Sequence, residues 1–480
     1  MISDRFRWVF CQLDTLRRCM PSSIRKALDE LPITLDDTYE RALQEIPKEK
    51  WQHAHRLFQC LVAAIRPLSV KELAEIFTIR FDRDRALDLI EDWRPENPEE
   101  ALLSACSALI TVVAENNVSK VVQFSHFSVR EYLTSDRLRT SGNVCNFHIP
   151  LDAAHTILAR ACLSVLLQLD ESVDKERLAT FPLAFYAAEY WIRHAKFEDV
   201  ELGIQDDMER LFNPRKPYLA AWDWIYDVDQ GRVRGPVHTL AKHPTSPNAT
   251  ALYYASLCGF SGVANYIICT HGEDVNAKSG RRVTHVCPLH AALYKRHIDV
   301  VRVLLDHGAN VNTTDKNNKT PLNIAYRDEH LEVMRMLLEH GANADVSENS
   351  SGFTGFISHV ASQRGQVEVV HLLLRHNANV NATDSMNWTP LHVASNKGDA
   401  KLVQLLLDHG ADINPLSNAY NTPLHNAVYW GHLEVIQLLL EHGADVNVQG
   451  EQNQTPYQVA ESDGLTEIAQ LLLDHGAKKK

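Results

Sequence analysis

Thr422-Pro423-Leu424-His425 opens a stretch that runs through Leu438-Leu439-Leu440 and closes on Glu441-His442-Gly443-Ala444-Asp445-Val446-Asn447, after which the chain begins the same phrase again. The residue in the histidine slot falls at His290, Asn323, His359, His392, His425 and Gln458, in steps of 33, 36, 33, 33 and 33 residues. A looser first copy starts at Thr250-Ala251-Leu252-Tyr253-Tyr254-Ala255, so about seven copies fill residues 249–480. Within one copy Thr422 suits a helix cap and Pro423 the first helical position, where a missing N–H costs nothing. Ala427, Leu433, Val435, Ile436, Leu438 and Leu439 give two short helices their apolar positions, and Gly443 can end the second in a left-handed conformation. A unit this small cannot bury its own apolar face, so it must stack on its neighbours.

A period near 33 residues opened by T-P-L-H resembles the ankyrin repeat, and the resemblance covers residues 249–480. It implies an α-solenoid that binds a protein ligand on its concave side. In each copy the two residues before the glycine slot between the helices are expected to face outward there. They are Tyr294 and Lys295, Arg327 and Asp328, Gln363 and Arg364, Asn396 and Lys397, Tyr429 and Trp430, then Ser462 and Asp463; the turns add Arg281, Arg282, Trp388 and Tyr420. Tyr, Trp and Arg are the residue types that dominate interface hot spots, which makes Tyr429 and Trp430 the leading anchors, with intramolecular packing as the alternative.

Two irregularities stand out. The fourth copy has Phe356-Ile357-Ser358-His359 in place of T-P-L-H after a longer turn, Ser347 to Gly355, and the second and third copies carry Arg296 and Glu329 in the glycine slot. The last helix, Ile468 to Leu473, shows no obvious polar outer face, so a poorly capped or occupied C-terminal edge is expected.

The whole chain has 480 residues, 45% hydrophobic and 23% charged, enough for two or three ordinary globular domains. Its formal net charge of −13 is spread roughly evenly over both halves, which disfavours nonspecific binding to nucleic acid or anionic membrane. Nine cysteines without a C-x-x-C pair are expected as buried or half-buried reduced thiols of a cytoplasmic protein. Leu151 to Leu169 is the most membrane-like run, yet Asp152, His155, Arg160 and Gln168 interrupt it, so a buried core helix is expected rather than a span.

Ahead of the repeats, residues 1–50 read as capped helices, with Thr34, Asp36 and Asp37 opening one that contains Tyr39 and Leu43. Residues 51–145 change rhythm. A helix from His55 to Ile65 breaks at Arg66-Pro67-Leu68, and Ser69-Val70-Lys71-Glu72 is a capping box for a helix through Phe77. A helix from Ala101 precedes two β-rich runs, Leu109 to Val113 and Val118 to Phe124, and Ser128 to Glu131 reads as another capping box. Helices followed by a hairpin describe a winged-helix-like module. Residues 146–248 read as a helical connector with core aromatics, ending in a linker from Gly231 to Pro247. The fold class expected is mainly α: a winged-helix-like and helical N-terminal region followed by the solenoid.

The phrases Phe6-Arg7-Trp8, Gln12 to Arg17, Leu28-Asp29-Glu30-Leu31-Pro32, Thr38-Tyr39-Glu40-Arg41, Arg66-Pro67-Leu68, Glu72-Leu73-Ala74 and Phe124 to Leu133 resemble the region that follows the NACHT nucleotide-binding core in fungal STAND-type, NLR-like receptors. The resemblance implies the sensor and regulatory half of such a receptor, partnered by a protein ligand and by a NACHT-containing chain. The G-x-x-x-x-G-K-[ST] loop of that core is missing from this chain, so no cofactor is expected. The alternative is a nucleotide-dependent switch whose ATPase core lies outside the chain. His126 is the one cofactor-binding candidate: by the resemblance it would touch the phosphate of a bound ADP, and its other reading is a structural role at a helix start.

Of the 24 histidines, many recur with the repeat: His307, His340, His376, His409, His442 and His475 precede the turn, and His290, His392 and His425 sit in the T-P-L-H phrase. Equivalent residues on stacked copies lie about 8–10 Å apart, too far to share a zinc ion, so hydrogen bonding to neighbouring turns is expected and no metal site. No G-x-S-x-G, H-E-x-x-H or dinucleotide fingerprint occurs, and the chain is expected to act by binding, not as an enzyme. Arg130, Arg137 and Arg139 are the best support for DNA binding by the winged helix, but Glu131 and Asp136 interleave them. No nucleic acid and no membrane are expected as partners.

Overall fold

The computed structural model describes residues 34–79, 97–106, 108–116, 119–142, 144–170, 173–234, 247–278, 287–350 and 353–479. The expected helices before Thr34, and Arg281 and Arg282, lie outside the described residues. The chain divides into two compact units, residues 1–258 with 269–272, and residues 259–268 with 273–480. Among the described residues no helix is long and apolar enough to cross a membrane.

The first unit opens with helix α1, Leu35–Gln44, whose cap is the expected one: Asp37 N–H donates to Thr34 Oγ1 at 3.1 Å and Thr34 N–H to Asp37 Oδ2 at 3.1 Å. Helix α2, Trp51–Ala63, buries Leu57, Phe58 and Val62. The chain then enters strand β1, Leu68–Ser69, where the sequence showed only a break. Ser69 caps helix α3, Val70–Phe77, through the box with Glu72. Glu72 also receives both terminal nitrogens of Arg66, at 2.6 and 3.1 Å, which keeps its buried carboxylate fully bonded.

Helix α4, Pro98–Cys106, precedes strands β2, Ile110–Asn116, and β3, Ser119–Phe124. The sheet is antiparallel in the order β1-β3-β2, with Leu68 opposite Val122 and Val112 opposite Val122 from the other side. Three helices and a three-stranded wing complete the winged helix. Helix α5, Phe127–Leu133, corrects one expectation. Its cap is His126, not Ser128, and Ser128 is instead buried with its hydroxyl 2.7 Å from the Tyr39 hydroxyl. A strand ends at Phe124, so the chain turns into the helix two residues earlier than a Ser128 cap allows.

The connector centres on helix α6, Leu151–Leu166, packed against helix α7, Ala184–Ala195. Trp191, Phe212 and Trp222 form an edge-on aromatic core, and Tyr254 joins it 6.2 Å from Trp222. Tyr254 belongs to Ala251–Cys258, the first helix of the first copy, which therefore counts with this unit rather than with the array. His194 is fully buried between the hydroxyl of Tyr186 and the ring of His155, each 2.9 Å away. Desolvation, with a smaller push from His155, lowers its pKa to about 3. Cys145 and Cys269 are exposed, contrary to the expectation for the cysteines, whereas burial pushes the Cys60 thiol up to about 12.

The second unit is built of helix pairs. Copies two to seven pair Pro288–Tyr294 with Ile298–Asp306, Pro321–Arg327 with Leu331–Glu339, Ile357–Gln363 with Val367–Arg375, Pro390–Lys397 with Ala400–Asp408, Pro423–Tyr429 with Leu433–Glu441, and Pro456–Ser462 with Thr466–Asp474. First helices pack side by side from copy two to three and from copy four through seven, and second helices do so between successive copies from one to six. The long turn before copy four folds as a hairpin, Ser347–Ser350 against Phe353–Phe356.

The recurrent phrase fixes this stacking residue by residue. His392 Nδ1 accepts the Thr389 N–H at 3.1 Å, closing the capping box, while its Nε2–H donates to the Asn421 carbonyl of the next copy at 3.0 Å. His425 does the same with Thr422 and Gln454, at 3.2 Å each. The asparagine that ends the phrase forms a second staple: Asn312 Oδ1 accepts the Asn343 N–H at 2.8 Å and its Nδ2 donates to Gly341 O at 3.1 Å. The histidines before the turn act differently from expectation. His307, His340, His409, His442 and His475 each use Nδ1 on a carbonyl four residues back in their own helix, at 2.8–2.9 Å, because the last turn of a helix leaves those carbonyls short of donors.

The C-terminal edge also differs from expectation. Thr466, Glu467, Gln470 and Asp474 give the last helix an exposed polar face, and only Ile468 and Leu472 are buried.

Candidate functional site

The residues before the glycine slot sit at the ends of the first helices, and contacts between copies link those of copies two, three and four. The Arg327 guanidinium lies over the Tyr294 ring, 5.4 Å from its centroid, and that of Arg364 over the Tyr326 ring at 5.6 Å. Asp328 links Arg296 at 3.6 Å and Arg327 at 3.7 Å. Tyr294 is half-buried and committed inside the molecule. Its hydroxyl donates to Asp315 Oδ2 at 2.6 Å, and burial with that carboxylate raises its pKa to about 12. Its ring supports the Arg327 guanidinium.

Lys295, Arg327, Gln363, Arg364 and Lys397 are exposed, while Asn396 is half-buried with its carbonyl bonded to His432 at 3.1 Å. Trp388 is half-buried, stacked 6.0 Å from His392, and its carbonyl accepts from His359 Nε2 at 2.8 Å. Tyr429 and Trp430 stand out from the rest. They are 64% and 58% exposed and meet edge to face at 5.4 Å, at the end of a helix locked by its capping box.

The turn tips add residues that the sequence reading passed over. Met386 is 50% exposed and Leu416 is exposed as well, beside Tyr420 at 66%. Three hydrogen bonds join the tips of copies five and six: Asn418 N–H to Met386 O at 3.0 Å, Asn418 Nδ2 to Ser385 O at 3.2 Å, and Asn387 Nδ2 to Leu416 O at 2.6 Å.

Several side chains here sit on unfavourable backbone. Arg296 and Glu329 take left-handed φ values of +60° and +58° in the slot that Gly365, Gly398, Gly431 and Gly464 fill elsewhere, and Tyr420 has φ +62° where other tips use Asn318, Asn387 and Asn453. A non-glycine residue there costs about 1–2 kcal/mol, less for asparagine. Tyr420→Asn is therefore expected to raise the stability of the array by about 1 kcal/mol in urea unfolding; an unchanged or lower midpoint would show that the Tyr420 ring contributes to the fold.

Elsewhere the candidates make contacts within their own unit. His126 Nδ1 accepts the Ser128 N–H at 3.0 Å and meets the Ser128 hydroxyl at 2.7 Å, which commits that nitrogen to the cap of α5. Cys287 replaces the capping threonine of copy two, with its sulfur 3.0 Å from His290 Nδ1. No side-chain cap bond forms there, and burial raises the pKa of the thiol, which disfavours the thiolate. Arg137 pairs with Asp36 at 2.5 Å and Arg139 with Asp136 at 3.6 Å. Among the described residues no three His, Cys, Asp or Glu side chains gather where they could hold a metal ion.

Comparison with known families agrees with this architecture. A family model described as Ankyrin repeats (3 copies) matches residues 280–350, 342–417, 358–449 and 414–480, and one described as GPI inositol-deacylase, winged helix domain matches residues 39–147. The chain carries ankyrin repeats behind a winged-helix domain, and the latter match takes in α1, whose Tyr39 packs on Tyr132 at 5.5 Å. The chain is also 32% identical over 298 residues to the azaphilone pigments biosynthesis cluster protein L of Monascus ruber, over 59% of this chain and 61% of that protein. It thus spans less than two thirds of that relative's length.

Proposed function

We propose that this chain is an interaction protein whose ankyrin face binds a protein ligand, with Tyr429 and Trp430 as its anchors, and that it works by binding rather than by catalysis. The observation that carries the reading is the exposure of that aromatic pair on a helix whose two ends are fixed. Two large rings held in place lose little freedom on association, so their burial goes mostly into affinity. The linked tips bearing Met386, Leu416 and Tyr420 offer a second exposed apolar area on the same array. The winged helix and its connector would relay ligand binding to a NACHT-containing partner, as in the NLR-like receptors that the sequence resembles.

A photo-crosslinking residue at position 420 tests this in cells of the source organism. One protein is expected to be captured there and not from position 441 on the opposite helix. Tyr429→Ala with Trp430→Ala should weaken binding of the captured protein by at least about tenfold, or 1.4 kcal/mol, and leave the melting curve unchanged. Equal affinity of the double variant would sink the assignment.

A further inference from the structure

The row leading to Tyr429 and Trp430 has a charge pattern of its own. Lys295, Arg296, Arg327, Arg364 and Lys397 bring five cations to successive copies of a chain whose formal net charge is −13. Asp328 answers Arg296 and Arg327. Lys295, Arg364 and Lys397 form no ion pair among the described residues. Arg364 is held in place by its contact with Tyr326, so copies four, five and six present a fixed cation, a second cation and then the aromatic pair. Of the carboxylates near the row, Asp328 is paired with Arg296 and Arg327, Glu329 and Asp463 flank this segment, and Asp399, beside Gly365, uses Oδ1 to accept the Leu402 N–H at the start of its own helix.

We propose that the ligand is an acidic, extended protein segment whose carboxylates seat on Arg364 and Lys397 and whose apolar side chain packs against Tyr429 and Trp430; this rests on the protein-binding reading above. The spacing sets a pattern. Packed helices repeat about every 8–10 Å, and a chain extended as polyproline II advances about 3.1 Å per residue with three residues per turn, so side chains on one face recur every third residue at the matching distance. The segment reads carboxylate, two residues, carboxylate, two residues, large apolar residue. A nucleic acid would seek the same cations, but it needs many more of them and a surface free of carboxylates, which Asp328, Glu329 and Asp463 deny it.

The experiment is selection of a displayed random-peptide library on the full chain, counter-selected on the Tyr429→Ala, Trp430→Ala variant. Recovered peptides are expected to carry Asp or Glu three residues apart. A synthetic peptide of that pattern should lose about tenfold affinity when its acids become Asn and Gln, and about tenfold when Arg364→Glu and Lys397→Glu are combined, an effect that shrinks in 1 M salt. Arg364→Gln with Lys397→Gln repeats the test should charge reversal disturb the melting curve. Peptides that need the aromatic pair but ignore the acids overturn the acidic ligand and leave the protein-binding reading standing. Failure to recover any peptide dependent on the pair overturns both. Displacement of the peptide by single-stranded DNA at equal concentration overturns the proposal in favour of a polyphosphate.

Discussion

Gly398→Ala is expected to lower the stability of the array by about 2–4 kcal/mol, whereas Gly431→Ala costs only about 1 kcal/mol. Both glycines have left-handed backbone, with φ +73° and +74°, so the conformational penalty is shared. The difference lies in what a methyl group meets. At Gly431 nothing lies within 4 Å, but at Gly398 the new carbon would stand 2.6 Å from His432 Nδ1. That ring cannot swing aside freely, because its Nε2 donates to the Asn396 carbonyl at 3.1 Å. Displacing it leaves a half-buried donor without its carbonyl, which costs up to about 1–3 kcal/mol more. The array already contains the comparison: where Arg296 and Glu329 fill the slot, His330 Nε2 and Gln366 Oε1 of the following copies are buried with no hydrogen-bond partner. Urea titration of the two variants decides the matter; equal losses would remove the clash from the account.

Acid is expected to unfold the array earlier than its carboxylates alone would predict. His290, His359, His392 and His425 are buried, and desolvation lowers their pKa below the ordinary value near 6.5, only partly offset by the carbonyl each one donates to. In His392 and His425 the Nδ1 lone pair is also the acceptor of the capping box, so a proton there removes the cap. The neutral ring is the folded form. Stability from these groups is therefore complete above pH 6.5 and drains away as the pH falls from there toward their folded values. A ring kept wholly neutral loses at most about 2 kcal/mol between pH 7 and pH 5. Copies three and seven show the remedy. Asn323 Oδ1 accepts the Thr320 N–H at 3.0 Å and Gln458 Oε1 the Thr455 N–H at 2.9 Å, closing the same box with no titrating group. The double variant His392→Asn, His425→Asn should flatten the fall in urea midpoint between pH 7 and pH 5; an unaltered slope would mean that other groups carry the acid sensitivity.

The parts legible in the sequence were those set by local chemistry. A capping threonine, a proline at the first helical position and a period of 33 all follow from contacts within a copy or between adjacent copies, and the array appears in the structure at those positions. The wing was legible only in part. Leu68–Ser69 is too short to show a pattern, and it becomes a strand only because Val121 and Val122, more than fifty residues on, lie beside it. His126 was readable as a residue at a helix start, but Ser128 had the stronger capping signal because an imidazole rarely takes that place, and the bond from the Tyr294 hydroxyl to Asp315 joins two copies and shows in neither alone. Exposure of Met386 and Leu416 depends on how two turns meet, which no single copy encodes.

The staples between copies share one property with an evolutionary consequence. The histidine of one copy donates to a backbone carbonyl of the next, and the closing asparagine joins a backbone N–H and carbonyl. Neither demands a particular side chain from its neighbour. Whole copies can therefore be duplicated, deleted or exchanged by recombination without compensating mutations, while the residues before the glycine slot travel with them. A lineage could assemble a new recognition surface by reshuffling existing copies, much faster than by altering one residue at a time.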